Sequence, residues 1–270
     1  MRFAICNELF TPWPHQQICA FVHSLGYEGL EIAPFTLASS IGEVTQQQRK
    51  SLRQIATDNN IQIIGLHWLL AKTEGLHLTS PDAQVRRATA LYLKELIRCC
   101  HDLGGELLVL GSPKQRQLTP QQTLTEGLQL ASDTISHVLP ELEAAGVDLC
   151  IEPLGPEETN FINTLQQAHD FIQLHNHPRL RLHMDIKAMS TEGVPIEQLI
   201  ARFGSSTRHF HANDPNRLGP GMGHVDFHPI FAALKQADYK HWISVEVFDF
   251  SPGPETIARE SLAYMRACLA

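Results

Sequence analysis

Short apolar runs alternate along the chain with longer stretches in which apolar residues recur every three or four positions. The first kind has the length of strands: RFAIC (2–6), GLEIA (29–33), IQIIGLH (61–67), ELLVLG (106–111), VDLCIE (147–152), RLRLHMD (179–185), TRHFHA (207–212) and WISVEV (242–247). The second kind predicts helices over 13–25, 44–59, 82–103, 119–145, 162–174, 195–203, 227–237 and 254–268. Alternating strands and helices imply a parallel sheet. Eight such units in 270 residues imply a closed (β/α)8 TIM barrel, taken as one domain over 1–270. An open doubly wound sheet is the competing arrangement. It calls for a glycine-rich phosphate turn after an early strand, but CNELFTPW follows the first strand and contains no GxGxxG.

Strand parity sharpens the picture, because successive side chains point to opposite faces. Val147, Leu149 and Ile151 share one face, and Asp148, Cys150 and Glu152 the other. Leu182 and Met184 oppose His183 and Asp185; Phe210 opposes His209 and His211; Ile243, Val245 and Val247 oppose Ser244 and Glu246. The apolar face suits a surrounding layer of helices. The ionisable face belongs inside the barrel, with its last residues at the C-terminal mouth where barrel enzymes gather their catalytic groups.

Four consecutive strands therefore end in a metal-capable residue: Glu152, Asp185, His211 and Glu246. A single strand-end His is more often a packed residue, and a single Glu a rim ion pair. The conjunction over four strands, each with the right parity, favours a site for one divalent metal. Three carboxylates and an imidazole form an oxygen-rich set that suits Mn²⁺ first, with Mg²⁺, Co²⁺ or Zn²⁺ as alternatives. His67 closes the third strand and Trp68 follows it, so both are candidates for the pocket wall, with simple packing as the equal alternative.

Composition narrows the partners. The hydrophobic content of 43% supports a sizeable core. A net charge of −8 and a pI near 6.0 disfavour a nucleic-acid partner. No run approaches the roughly 20 apolar residues of a membrane span. The opening MRFAICNELFTPWP is broken too early by Asn, Glu and Pro to be a secretory signal. Six cysteines without CxxC spacing are expected as reduced thiols in a cytoplasmic protein.

Several motifs then carry a resemblance. They are Ile151-Glu152-Pro153-Leu154 with Glu158-Thr159 and Asn163-Thr164 downstream, Met184-Asp185, and His209-Phe210-His211. Arg217, Pro220-Gly221-x-Gly223 with Asp226-Phe227, Val245-Glu246, and the early GYEGLEI (26–32) complete the set. The chain resembles the xylose-isomerase-like barrel superfamily, in particular its ketose 3-epimerase and sugar isomerase branch. The resemblance implies that Glu152, Asp185, His211 and Glu246 hold one divalent metal. It implies that Glu152 and Glu246 are the acid/base pair, and that Arg217 and Glu158 meet the hydroxyls of a small sugar or polyol. It also implies a homodimer or homotetramer. A proton returned to the opposite face of the same carbon gives epimerisation; a proton moved to the adjacent carbon gives aldose–ketose isomerisation.

The sequence departs from that pattern in DIKAMS, where Ala188 stands in place of the epimerases' histidine, with Lys187 beside it. Lys187 points to an anionic or otherwise different substrate. Gly155-Pro156 likewise replaces the usual Asn-Arg. Three alternatives stay open: a metal-dependent dehydratase of a keto-cyclitol or dehydroshikimate-like ring, an apurinic-site endonuclease, and a non-catalytic sugar-binding barrel. The endonuclease draws on His211-Ala212-Asn213-Asp214 and Asp226-Phe227-His228 but lacks metal histidines at Ala188 and near Gly111.

Overall fold

A computed structural model describes residues 1–269. The strands are β1 (Arg2–Cys6), β2 (Gly29–Ile32), β3 (Gln62–Leu66), β4 (Leu107–Leu110), β5 (Asp148–Ile151), β6 (Leu180–Asp185), β7 (Thr207–Ala212) and β8 (Trp242–Val245). They pair in parallel in sequence order, and β8 pairs back with β1, closing the barrel. Around it run α1 (His15–Leu25), α2 (Gln46–Asp58), α3 (Ala83–Leu103), α4 (Leu124–Ser136), α5 (Leu139–Ala145), α6 (Leu165–His175), α7 (Ile186–Met189), α8 (Ile196–Phe203), α9 (Phe227–Gln236) and α10 (Pro254–Leu269). The chain is thus a single (β/α)8 TIM barrel. No described helix is long and apolar enough to cross a membrane.

The helix boundaries follow local chemistry. In α3, Asp82 accepts the Gln84 amide at 2.7 Å, and Gly104 closes the other end at φ +84°. Its buried Leu93, Leu96, Ile97, Cys100 and Leu103 recur at helical spacing and turn one stripe to the barrel. The expected helix over 119–145 is divided: α4 ends at Ser136 and α5 begins at Leu139, with Pro140 in its first turn. Proline has no amide to continue a helical ladder, but it is suited to start one.

The parity holds through the wall. Val147, Leu149, Ile151, Leu182, Met184, Phe210, Ile243 and Val245 all join the main core between strands and helices. The interior is layered. Ala4, Ile64 and Trp242 form one apolar cluster inside, and Leu107, Val109 and Cys150 another. Two register shifts adjust what points inward. Leu182 pairs with Thr207 but His183 with His209, so Arg208 is an extra residue in β7. Its guanidinium bonds Asp148 and Glu106, both at 2.8 Å, while His209 still faces inward. All six cysteines are buried and free.

Candidate active site

The barrel mouth gathers what parity placed there. Glu152 and Glu246 follow directly after the last residues of β5 and β8; Asp185 ends β6, and His211 lies in β7. Each glutamate is still tied by its amide to the neighbouring strand, Glu152 to the Leu110 carbonyl and Glu246 to the Ala212 carbonyl, both at 3.3 Å. Asp185 and His211 are direct register partners. One donor atom from each of the four residues lies within 4.8 Å of all the others, and all four residues are buried.

The electrostatics of this cluster are uneven. Burial pushes the Glu152 carboxyl well up, and repulsion from Glu246 and Asp185 adds to it. Burial likewise raises Asp185 to about 6, with Glu246 contributing. Burial also opposes ionisation of Glu246, but the positive His211 and His67 outweigh it and hold that carboxyl below its usual value. For His211 the order is the same: burial disfavours its charge, but Glu31 and Glu246 raise it well above the ordinary range. Trp68 donates its indole N–H to Glu246 Oε1 at 2.8 Å, and the His211 Nδ1 lies 3.1 Å from Glu246 Oε2.

A divalent cation fits this arrangement. The donors converge, and Glu246 Oε2 and His211 Nδ1, buried 3.1 Å apart, have no hydrogen-bond partner beyond each other. Three clustered carboxylates need positive charge, and oxygen-rich donors with one imidazole match the hard divalent metals. The other ring nitrogen of His211 lies 3.1 Å from Glu31 Oε2, the outer carboxylate that a metal-binding histidine usually has.

Glu31 was not among the residues expected from sequence. It is fully buried, reaches His209 at 2.9 Å as well as His211, and lies 3.7 Å from His67. Burial alone would raise its carboxyl, yet the two β7 histidines hold it well below the usual range. The signal was present in GLEIA, where Glu31 shares the inward parity of Gly29. Glu8, 3.0 Å from His67 Nε2, had no such signal, because it sits in a short turn after β1. Asn213 was also missed: its side chain donates to Asp185 Oδ2 at 2.5 Å and accepts the Lys187 amide at 2.9 Å. Asp185 in turn caps α7 by accepting the Ala188 amide at 2.8 Å. Arg116 is buried, donates to the Glu152 carbonyl at 2.7 Å, and so fixes the backbone under that glutamate.

The remaining sequence candidates divide. His67, Trp68, Glu158 and Lys187 line the inner pocket together with Glu152, Asp185 and Glu246. Lys187 is ion-paired with Glu158 and lies 5.0 Å from the centre of the Phe248 ring. Arg217 lies instead on the outer rim, exposed, with φ +75°. Its amide donates to the Asp214 carbonyl at 2.8 Å, and its own carbonyl accepts the Phe248 and Asp249 amides at 2.9 and 3.0 Å. That turn carries the guanidinium outward to the Phe248 carbonyl at 3.4 Å. His228 lies exposed at the start of α9 against Asp226 and takes no part in the cluster.

The sequence pattern of the family described as xylose isomerase-like TIM barrel matches residues 19–268. The D-psicose 3-epimerase of Ruminiclostridium cellulolyticum is 27% identical over 229 residues, covering 84% of this chain and 76% of that protein. The 3-dehydro-D-guloside 4-epimerase of Escherichia coli is 22% identical over 277 residues, covering 99% of this chain and all of the relative. A crystal structure of a D-psicose 3-epimerase in the presence of D-fructose superposes with a TM-score of 0.87 at 21% identity, covering 100% of this chain and 99% of the other.

Proposed function

The chain belongs to the xylose isomerase-like TIM barrel family, and on that premise we propose that it is a divalent-metal-dependent sugar epimerase, inverting a carbon next to a ketone. The observation that carries this reading is the convergence of Glu152, Asp185, His211 and Glu246 on one point at the barrel mouth. The two named relatives differ in substrate and in the carbon inverted, yet in both names the chemistry is epimerisation of a keto-sugar.

Glu152, Asp185, His211 and Glu246 would hold the ion, with Mn²⁺ the first choice for this donor set. When bound, the ion supplies positive charge beside the ketone oxygen, which lowers the cost of negative charge developing there as the α-proton leaves. Glu246 is suited to take that proton. Its carboxyl is held ionised by His211 and His67 and oriented by the Trp68 indole. Glu152 is suited to return one, because burial and its acidic neighbours raise its proton affinity. Two carboxyls pushed apart in this way form an acid/base pair whose roles exchange in the reverse reaction. Arg116 fixes the Glu152 backbone, Asn213 orients Asp185, and Glu31 orients His211.

Glu158 and Lys187 close one side of the pocket as an ion pair. Ala188 offers the sugar only a methyl, where the sequence resemblance implies an imidazole. The test is incubation of the Mn²⁺-loaded protein with a panel of ketoses and keto-glycosides in D₂O. Deuterium entering at the carbon α to the ketone, with inversion, is the expected result. Loss of water would favour the dehydratase instead. Glu246→Gln should abolish the exchange even at Mn²⁺ concentrations that keep the site filled; full exchange by that variant would remove Glu246 as the base.

A further inference from the structure

The inner pocket is tight. Its cavity of about 20 Å³ has room for about one water-sized group, so most of a sugar must lie outside it. Trp68, Ser112, Pro113 and Phe248 also line a second, outer cavity of about 770 Å³, so the two spaces adjoin and share a wall. That volume lies in the upper half of the roughly 300–1,000 Å³ range of pockets for drug-sized ligands.

The outer walls have a definite chemistry. Phe35, Trp68, Phe248 and Phe250 supply aromatic surface, and Phe250 is 44% exposed. Lys72, Lys114 and Arg217 supply three cations, none in an ion pair with a carboxylate among the described residues. Lys72 Nζ instead lies 3.9 Å over the Phe35 ring, and Arg217 meets a backbone carbonyl. The one acid of this cavity, Glu8, is occupied by His67 at 3.0 Å. Lys72 and Lys114 stand without a carboxylate partner among the described residues, and Arg217 has only Asp249 near it; on a chain of net charge −8 the three cations are a local concentration against the general field. Lys187, the cation that sequence alone singled out for an anion, is already neutralised by Glu158.

Resting on the epimerase reading, we propose that the substrate is a keto-sugar bearing an anionic, partly apolar substituent. The sugar carbon enters the inner pocket, while the substituent lies in the outer cavity against the aromatic wall with its charge on Lys72, Lys114 and Arg217.

The experiment measures binding to the Mn²⁺-loaded protein by calorimetry. The probes are the 4-carboxyphenyl, 4-phosphophenyl and 4-methylphenyl glycosides of 3-keto-glucose, with free fructose as the small reference. The wild-type protein should bind at least one anionic glycoside tenfold or more tightly than the methylphenyl one, and a carboxylate or phosphate preference identifies the anion. In the double variant Lys72→Ala/Lys114→Ala this ratio should fall towards one. Equal affinities for charged and neutral glycosides in the wild type, or a ratio unchanged in the variant, would overturn the proposal. Deuterium exchange with the same four compounds tests the epimerase reading separately. Its absence removes that reading, while the binding ratio still decides the substituent.

Discussion

Replacing Gly111 by alanine tests the geometry of the site without touching a proposed ligand. Gly111 follows the last residue of β4, and a Cβ built on it would lie 1.9 Å from Glu152 Oε2. Non-bonded carbon atoms normally keep about 3.5 Å from their neighbours. The carboxylate would therefore have to retreat by roughly 1.5 Å, since the strand behind Gly111 is held in the barrel ladder. Misplacing a reacting group by about 1 Å can cost about 100-fold in rate. Gly111→Ala should therefore lower kcat/KM for proton exchange by about two orders of magnitude. It should also weaken metal binding, because Glu152 is proposed both as ligand and as acid. The assay is deuterium incorporation, beside metal content by mass spectrometry and a thermal melt. A folded variant with full metal content and wild-type exchange would refute the placement of Glu152 in the site.

Trp68→Phe keeps the aromatic contact with Phe35 and Phe248 but removes the N–H that supports ionised Glu246. The base should become harder to ionise, moving the acidic limb of the kcat/KM profile to higher pH by up to about one unit; an unmoved limb counts against Glu246 as the base. Glu31→Gln removes the carboxylate behind His211 and should weaken metal affinity about 10–100-fold, measured by titration with Mn²⁺. In the metal-free protein, Asp185 has a folded pKa of about 6, above its ordinary value, so the protonated acid is the favoured buried form. The unfolded chain releases that proton first, so the contribution of Asp185 to stability should fall as pH rises from about 4 through 6, read as the difference between the wild type and Asp185→Asn. Added Mn²⁺ should stabilise the protein more at pH 7.5 than at pH 5 in thermal melts, because the metal competes with protons for these carboxylates.

The alternation of strands and helices, the closed barrel and the inward-facing residues at the strand ends were all legible in the sequence. Periodicity is local: a side chain's face is set by its position within a few residues of its own strand. That is why Glu152, Asp185, His211 and Glu246 could be named together, although 94 positions separate the first from the last. Proline chemistry is equally local: Pro140, in the first turn of α5, marks the division of the helix expected over 119–145. Tertiary structure decided who stands next to whom. Glu31 meets His209 from 178 positions away, and Trp68 meets Glu246 across the same separation. Gly111 matters only because Glu152 fills the space its side chain lacks. Lys187 is a free cation in the sequence and a neutralised one in the fold, while Arg217 is turned to the rim by bonds to the segment after β8. Strand period fixes direction, but closing the barrel fixes distance, and on distance depend the charge state of each carboxylate and the space left for a substrate.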